Sequence, residues 1–113
     1  MSDCIFCKIA NGEIPSEIVY EDELITVFKD AGPMAPVHVL MVPKTHISSL
    51  DDIKDENAPL LGHMLLKIKE IAKILDLKDG YRVVINCGED GQQTVKHLHV
   101  HILGKRKMTW PPG

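Results

Sequence analysis

The stretch His97-Leu98-His99-Val100-His101-Ile102-Leu103 decides the reading of this 113-residue chain. Polar and apolar residues alternate strictly, and successive side chains of a β-strand point to opposite faces. Leu98, Val100 and Ile102 therefore share one face. The three histidines share the other, over roughly 13 Å at the strand rise. An apolar strand face needs a covering layer, and residues 57–75 supply one. Asn57 can cap a helix, and Pro59 fits its first turn. Leu61, Met64, Leu65, Ile68, Ile71, Ala72 and Leu75 then recur at spacings of three and four, one apolar stripe on a helix.

Working outward, residues 17–20 and 24–29 read as two strands around the polar turn Glu21-Asp22-Glu23. Residues 30–36 hold one glycine and two prolines and read as a loop. Residues 37–42 form a third strand, stopped by Pro43. Residues 81–86 form a fourth, and 98–103 the fifth. Residues 4–10 read as a short helix closed by Asn11-Gly12. The fold class is α+β: a mostly antiparallel five-stranded sheet with one long helix and a short N-terminal helix.

No repeat, low-complexity run or charge block divides the chain, so residues 1–113 read as a single domain. At this length one core forms and not two. Only five residues are aromatic, so that core is aliphatic, while six are histidine. The net charge of −3 and pI near 6.0 argue against binding to nucleic acid, which calls for a basic surface. No apolar run approaches the roughly 18 residues of a membrane span. The start, Met1-Ser2-Asp3-Cys4, has neither the basic nor the apolar region of a secretion signal. The three cysteines do not make an even disulfide framework, so a cytoplasmic location is expected.

Three chemistries fit three alternating histidines. One is a metal centre, with H-x-H supplying two ligands and His46 a third. Another is nucleophilic catalysis, in which one imidazole attacks phosphorus or a carbonyl while its neighbours orient and protonate. The third is a polar strand face at a subunit interface. The preceding segment, Asn86-Cys87-Gly88-Glu89-Asp90-Gly91-Gln92-Gln93-Thr94, bears on the choice. Its amides and hydroxyl can face an anion, and an anion cradle beside imidazoles points to phosphoryl or nucleotidyl transfer. His38 and His63 read as ordinary structural histidines, and Cys87 as a small core residue or a quiet thiol.

His97-x-His99-x-His101 followed by Ile102-Leu103 resembles the motif of the histidine triad family. The resemblance extends through Cys4-Ile5-Phe6-Cys7-Lys8-Ile9, Ile14-Pro15, Tyr20-Glu21-Asp22, Val42-Pro43-Lys44-x-His46-Ile47 and Asn86-x-Gly88. The ending Trp110-Pro111-Pro112-Gly113 is similar to that of the nucleotide-binding branch, small homodimeric purine nucleoside phosphoramidases. The resemblance implies a purine nucleotide partner, AMP or GMP and their phosphoramidates. It implies that His99 attacks the α-phosphorus while its other nitrogen donates to a backbone carbonyl. His101, His97 and Thr94 would complete the catalytic set, His101 at the phosphate or departing amine and Thr94 where a serine is usual. Asp30 would take the ribose hydroxyls, Asn86 the sugar-phosphate end, and Gln92 and Gln93 the phosphate loop. Ile5, Phe6, Ile9, Phe28 and Ala31 would form the slot for the base.

Two residues depart from that pattern. Gln92 stands where relatives commonly carry glycine, which costs stability if the backbone there needs φ > 0. Ala31 is small for the base slot. Relatives with the pair Cys4-x-x-Cys7 imply a structural zinc completed by His46 and His97. The reaction itself needs no metal in this reading.

Overall fold

Residues 37–43 and 100–104, two nearly continuous apolar runs buried on both faces, build the centre of the sheet. The structure is a computed structural model that describes residues 3–113; Met1 and Ser2, the start of the N-terminus read above, lie outside it. The strands are β1 (Ile18–Glu21), β2 (Ile25–Lys29), β3 (Val37–Pro43), β4 (Tyr81–Val84) and β5 (Val100–Gly104). All pair antiparallel, in the order β1-β2-β3-β5-β4. Helices α1 (Ile5–Ala10) and α2 (Ala58–Ile74) complete the α+β fold. No helix among the described residues is long and apolar enough to cross a membrane.

The register assigns each strand residue to a face. Val39 lies opposite Ile102 and Met41 opposite Val100, and all four are buried in one cluster with Ile25, Val27 and Leu98. Helix α2 covers this face with Met64, Ile68, Ile71 and Ala72. Leu65, expected in the stripe, is instead 61% exposed. It sits about 100° around the helix from Met64, which carries it past the rim of the contact. Leu66 and Ile74 are also exposed. On the opposite face Phe6 and Ala10 of α1 pack against Phe28, Leu40 and Val42. Cys4 caps α1, its Sγ accepting from Cys7 N–H at 3.4 Å.

Asn57 precedes α2 as expected but caps differently. Its side chain makes no bond to the helix N–H groups and accepts from Lys54 N–H at 2.8 Å. The turn between β1 and β2 is tied to α2 through Asp22. One carboxylate oxygen accepts from the N–H groups of Leu24 and Ile25; the other accepts from Tyr20 Oη–H and His63 Nε2–H, the last at 2.8 Å. His63 thus keeps its structural reading. Burial pushes the Asp22 carboxyl up, but the bonds from Leu24, His63, Tyr20 and Ile25 outweigh it and hold the group down to about 2. A carboxylate lowered on folding stabilises above its unfolded range, and that stability is lost as pH falls from about 4 to about 2. Allowing for partial exposure, Asp22→Asn should cost about 1–2 kcal/mol at pH 7. Urea titrations should show the variant and the wild type converging near pH 2.

The loop after β4 confirms the cost anticipated at Gln92, whose φ is +65°. Left-handed backbone costs a side-chain-bearing residue about 1–2 kcal/mol, more than glycine loses in entropy. Gln92→Gly should therefore raise the melting temperature by about 2–4 °C, measured calorimetrically; a lower value would contradict this account. The neighbouring Gly91 is needed for close approach: a Cβ there would stand 2.5 Å from the Cys87 carbonyl oxygen.

Candidate active site and metal cluster

Only one of the three triad histidines lies in the ladder. β5 begins at Val100, so His97, Leu98 and His99 precede it, which shortens the expected strand 98–103. Leu98 N–H donates to the Ile47 carbonyl at 2.6 Å, outside the sheet register. Alternation of faces nevertheless persists. Leu98, Val100 and Ile102 join the core under α2. The three histidines point the other way, each to a different set of partners.

His97 is fully buried. Its Nε2–H donates to the Pro43 carbonyl at 2.8 Å, so Nδ1 carries a lone pair. That lone pair faces Cys4 Sγ at 3.3 Å, Cys7 Sγ at 3.5 Å and His46 Nδ1 at 3.2 Å. Cys7 Sγ also lies 3.2 Å from His46 Nδ1. Two cysteine sulfurs and two imidazole nitrogens therefore converge on one point. Around a tetrahedral zinc, neighbouring ligand atoms stand about 3.4 Å apart for two nitrogens and about 3.6 Å for nitrogen and sulfur. The cluster matches those edges in composition and size. Burial, reinforced by Cys4, pushes the Cys7 thiol up, and burial lowers His97. A cation would reverse the thiol's penalty by taking it as thiolate.

His99 is buried against Phe6, with ring centroids 5.0 Å apart edge to face. Its Nδ1–H donates to the His97 carbonyl at 2.6 Å. Its proton is thereby placed, and Nε2 keeps an unshared pair. His101 lies 5.0 Å from His99 between ring centroids. Its Nδ1 accepts from His38 Nε2–H at 2.9 Å, while its Nε2 is buried without a hydrogen-bond partner among the described residues. Burial, helped by His99 and His38, pushes His101 down to about 4, so the ring is neutral near pH 7.

The sequence alone reads His38 as structural, while the β3–β5 register puts Leu40 opposite His101 and His38 one pair further along the same face, beside the triad. The signal was present as the lone histidine in an otherwise apolar strand. Without the register, nothing said which face it shared.

The expected nucleotide contacts separate into two groups. Phe6 and Phe28 are buried and meet edge to face with centroids 5.5 Å apart; Ile9 packs beside them half-buried. Ile5 and Ala31 are exposed. Asp30 is half-buried, with Oδ1 accepting from Gly32 N–H at 2.7 Å and Oδ2 lying 3.4 Å from His38 Nε2. Asn86 and Gln92 are half-exposed or exposed on the loop, and Thr94 is exposed. Gln93 is buried and already engaged. Its Oε1 accepts from Gly88 N–H, and its Nε2 donates to the Ser48 and Val95 carbonyls at 2.7 and 3.0 Å. It shapes the loop rather than offering free amide hydrogens to a ligand.

Comparison with known proteins bears on this arrangement. The family profile described as scavenger mRNA decapping enzyme C-terminal binding matches residues 3–110. An uncharacterized HIT-like protein of Synechococcus elongatus is 53% identical over 111 residues, covering 98% of this chain and 97% of that protein. The chain belongs to the histidine triad (HIT) family. Among solved HIT structures, a HIT family hydrolase of Legionella pneumophila superposes with a TM-score of 0.95 at 47% identity, covering 98% of this chain and all of that one. A histidine triad nucleotide-binding protein of Candida albicans superposes at 0.82 with 35% identity, covering 98% and 85% of the two chains. The HIT motif is thus His97, His99 and His101, and the antiparallel sheet with its two helices is the HIT fold.

Proposed function

We propose that this HIT protein hydrolyses the P–N bond of purine nucleoside 5′-phosphoramidates through a nucleotidyl-histidine. One observation carries the reading: among the triad, His99 alone keeps an imidazole lone pair not already aimed at a protein group. Nε2 of His99 attacks the α-phosphorus, the new P–N bond forms, and the bond to the amine breaks. The departing nitrogen gains one proton at the His101 Nε2 position, replaced from solvent. Because Nδ1–H stays on the His97 carbonyl, the nucleotidyl-imidazole is cationic and a good leaving group. Water then attacks phosphorus, releasing the nucleoside monophosphate and restoring His99. Phe6 and Phe28 support a base slot, and the Asp30 carboxylate supports a contact to ribose hydroxyls. The name of the Candida relative and the hydrolase among the solved structures support nucleotide chemistry at this site.

The same proposal includes a structural zinc on Cys4, Cys7, His46 and His97, which would fix the N-terminal helix to the triad and take no part in bond breaking. It also includes a homodimer. Among the described residues edge strand β4 pairs only with β5, and it exposes Tyr81 and Val83, while α2 exposes Leu65, Leu66 and Ile74. An unpaired edge beside exposed apolar residues supports pairing with a second copy.

Steady-state rates on a matched panel test the substrate class. Adenosine and guanosine 5′-phosphoramidates with a fluorogenic amine should be turned over faster than a dinucleoside polyphosphate or an adenylyl-transfer pair. The reverse ranking would assign the site to those related reactions instead.

A further inference from the structure

We propose that Cys4 and Cys7 are a modification site: they close into a reversible disulfide, and that bond switches off the histidine site. The catalytic consequence rests on the phosphoramidase reading, while the thiol chemistry does not. Both thiols are free, Cys7 buried and Cys4 half-buried, so a small oxidant reaches the pair through Cys4. They stand one helical turn apart at the start of α1, where Lys8 N–H donates to the Cys4 carbonyl at 3.0 Å. One turn puts the two Cα atoms about 5 Å apart, inside the range a disulfide spans. The two sulfurs lie within 4.8 Å of each other, and Cys87 is outside their cluster.

Closing the bond reaches the nucleophile by two routes. His97 turns Nδ1 to Cys4 Sγ at 3.3 Å and Cys7 Sγ at 3.5 Å, and its carbonyl accepts the Nδ1–H of His99 at 2.6 Å. Phe6 lies between the two cysteines in the chain. Its ring meets those of His97 and His99 edge to face, with centroids 6.1 and 5.0 Å away. A disulfide draws the sulfurs to about 2 Å from each other. That pulls them off His97 and off His46, whose Nδ1 lies 3.2 Å from Cys7 Sγ. Helix α1 loses these polar links, and the carbonyl and ring that hold His99 are released together. The paired sulfurs also carry no thiolate, so the four-donor set is dismantled. The step balances with hydrogen peroxide as oxidant. The Cys4 thiol attacks one oxygen, the O–O bond breaks, and a sulfenic acid and one water form. The Cys7 thiol then attacks Cys4 Sγ and expels a second water. Two thiols lose two hydrogens and two electrons, the peroxide becomes two waters, and a dithiol reductant reverses the bond.

The test treats wild type, Cys7→Ser and Cys87→Ser with hydrogen peroxide and then with dithiothreitol. Wild type and Cys87→Ser should lose the mass of two hydrogens on oxidation, with peptide mapping placing the link between Cys4 and Cys7. Their kcat/KM on an adenosine phosphoramidate should fall about 10- to 100-fold, the scale of losing the shell that supports a reactive group, and return on reduction. Nitrogen-15 NMR should show the His99 Nδ1–H signal change on oxidation and recover with the thiols. Cys7→Ser should show neither the mass loss nor a reversible fall in rate. Wild type that forms no Cys4–Cys7 link would overturn the proposal, as would a link that leaves both the rate and the His99 signal unmoved. The same reversible fall in Cys7→Ser would overturn it too, by assigning the response to another group. If Cys7→Ser does not fold, the mapping and ring spectrum of wild type still decide. If wild type does not turn over the phosphoramidate, the substrate reading fails, while the mapping and the His99 signal still judge the switch.

Discussion

His99→Ala is expected to lower kcat/KM for an adenosine 5′-phosphoramidate by about a thousandfold or more, with the fold intact. The size follows from the lack of a substitute. His97 spends Nε2 on the Pro43 carbonyl and turns Nδ1 toward the cysteines. Because Met34 N–H donates to His38 Nδ1, a neutral His38 donates its Nε2–H to His101 Nδ1, which puts the proton of His101 on Nε2. Neither can attack phosphorus without breaking a buried hydrogen bond, and the variant therefore loses the covalent route rather than one contact in it. Residual rate would come only from binding and orientation of the phosphoramidate near water. Initial rates at saturating enzyme, with circular dichroism to verify the fold, make the comparison. Equal rates in the two proteins would remove His99 as the nucleophile.

The second large effect concerns the cysteine-histidine cluster. Metal analysis of protein purified without chelator should find one zinc per chain. Stripping it, or replacing Cys7 by serine, should lower the melting temperature by about 10 °C or more. Structural zinc binds with about 10–16 kcal/mol of apparent free energy, and any ligand that binds only the folded state adds to stability by linkage. Even a third of that energy, at about 3–4 °C per kcal/mol for a chain of this size, reaches the stated shift. Four of the contacts between these donor atoms are already 3.2–3.5 Å long, with His46 Nδ1 3.2 Å from His97 Nδ1, so a zinc would draw on an arrangement the fold holds in place. A metal-free preparation with an unchanged melting temperature after chelation and in Cys7→Ser would dismiss the zinc.

Much of the fold was legible because turn residues and one helical period punctuate the chain. Apolar runs bounded by turn residues marked all five strands within a few residues, alternation singled out the histidine strand, and the three-four period marked α2. Its failure at Leu65 shows the limit: a stripe read from spacing is wider than the contact it makes. What pattern could not show was adjacency. That β5 lies between β3 and β4 depends on long-range pairing, and the same pairing hid His38. The triad was legible as a motif, but not that its members face a cysteine cluster, keep an unshared lone pair and bond to His38 respectively. Gln93 illustrates why: a buried amide serves a ligand or a loop equally well until its three bonds are seen.

The strand order has a consequence for how the protein is made. β5 is the last strand synthesised, yet it sits in the interior of the sheet, between β3 and β4. Until residues 100–104 leave the ribosome, β3 and β4 each expose an unsatisfied edge that no earlier segment can fill. The C-terminal residues then arrive carrying His101, so closing the gap and completing the reactive centre are one event. A chain cut short before Val100 would leave the facing edges of β3 and β4 open and lack His101, a species prone to association rather than a partially active enzyme.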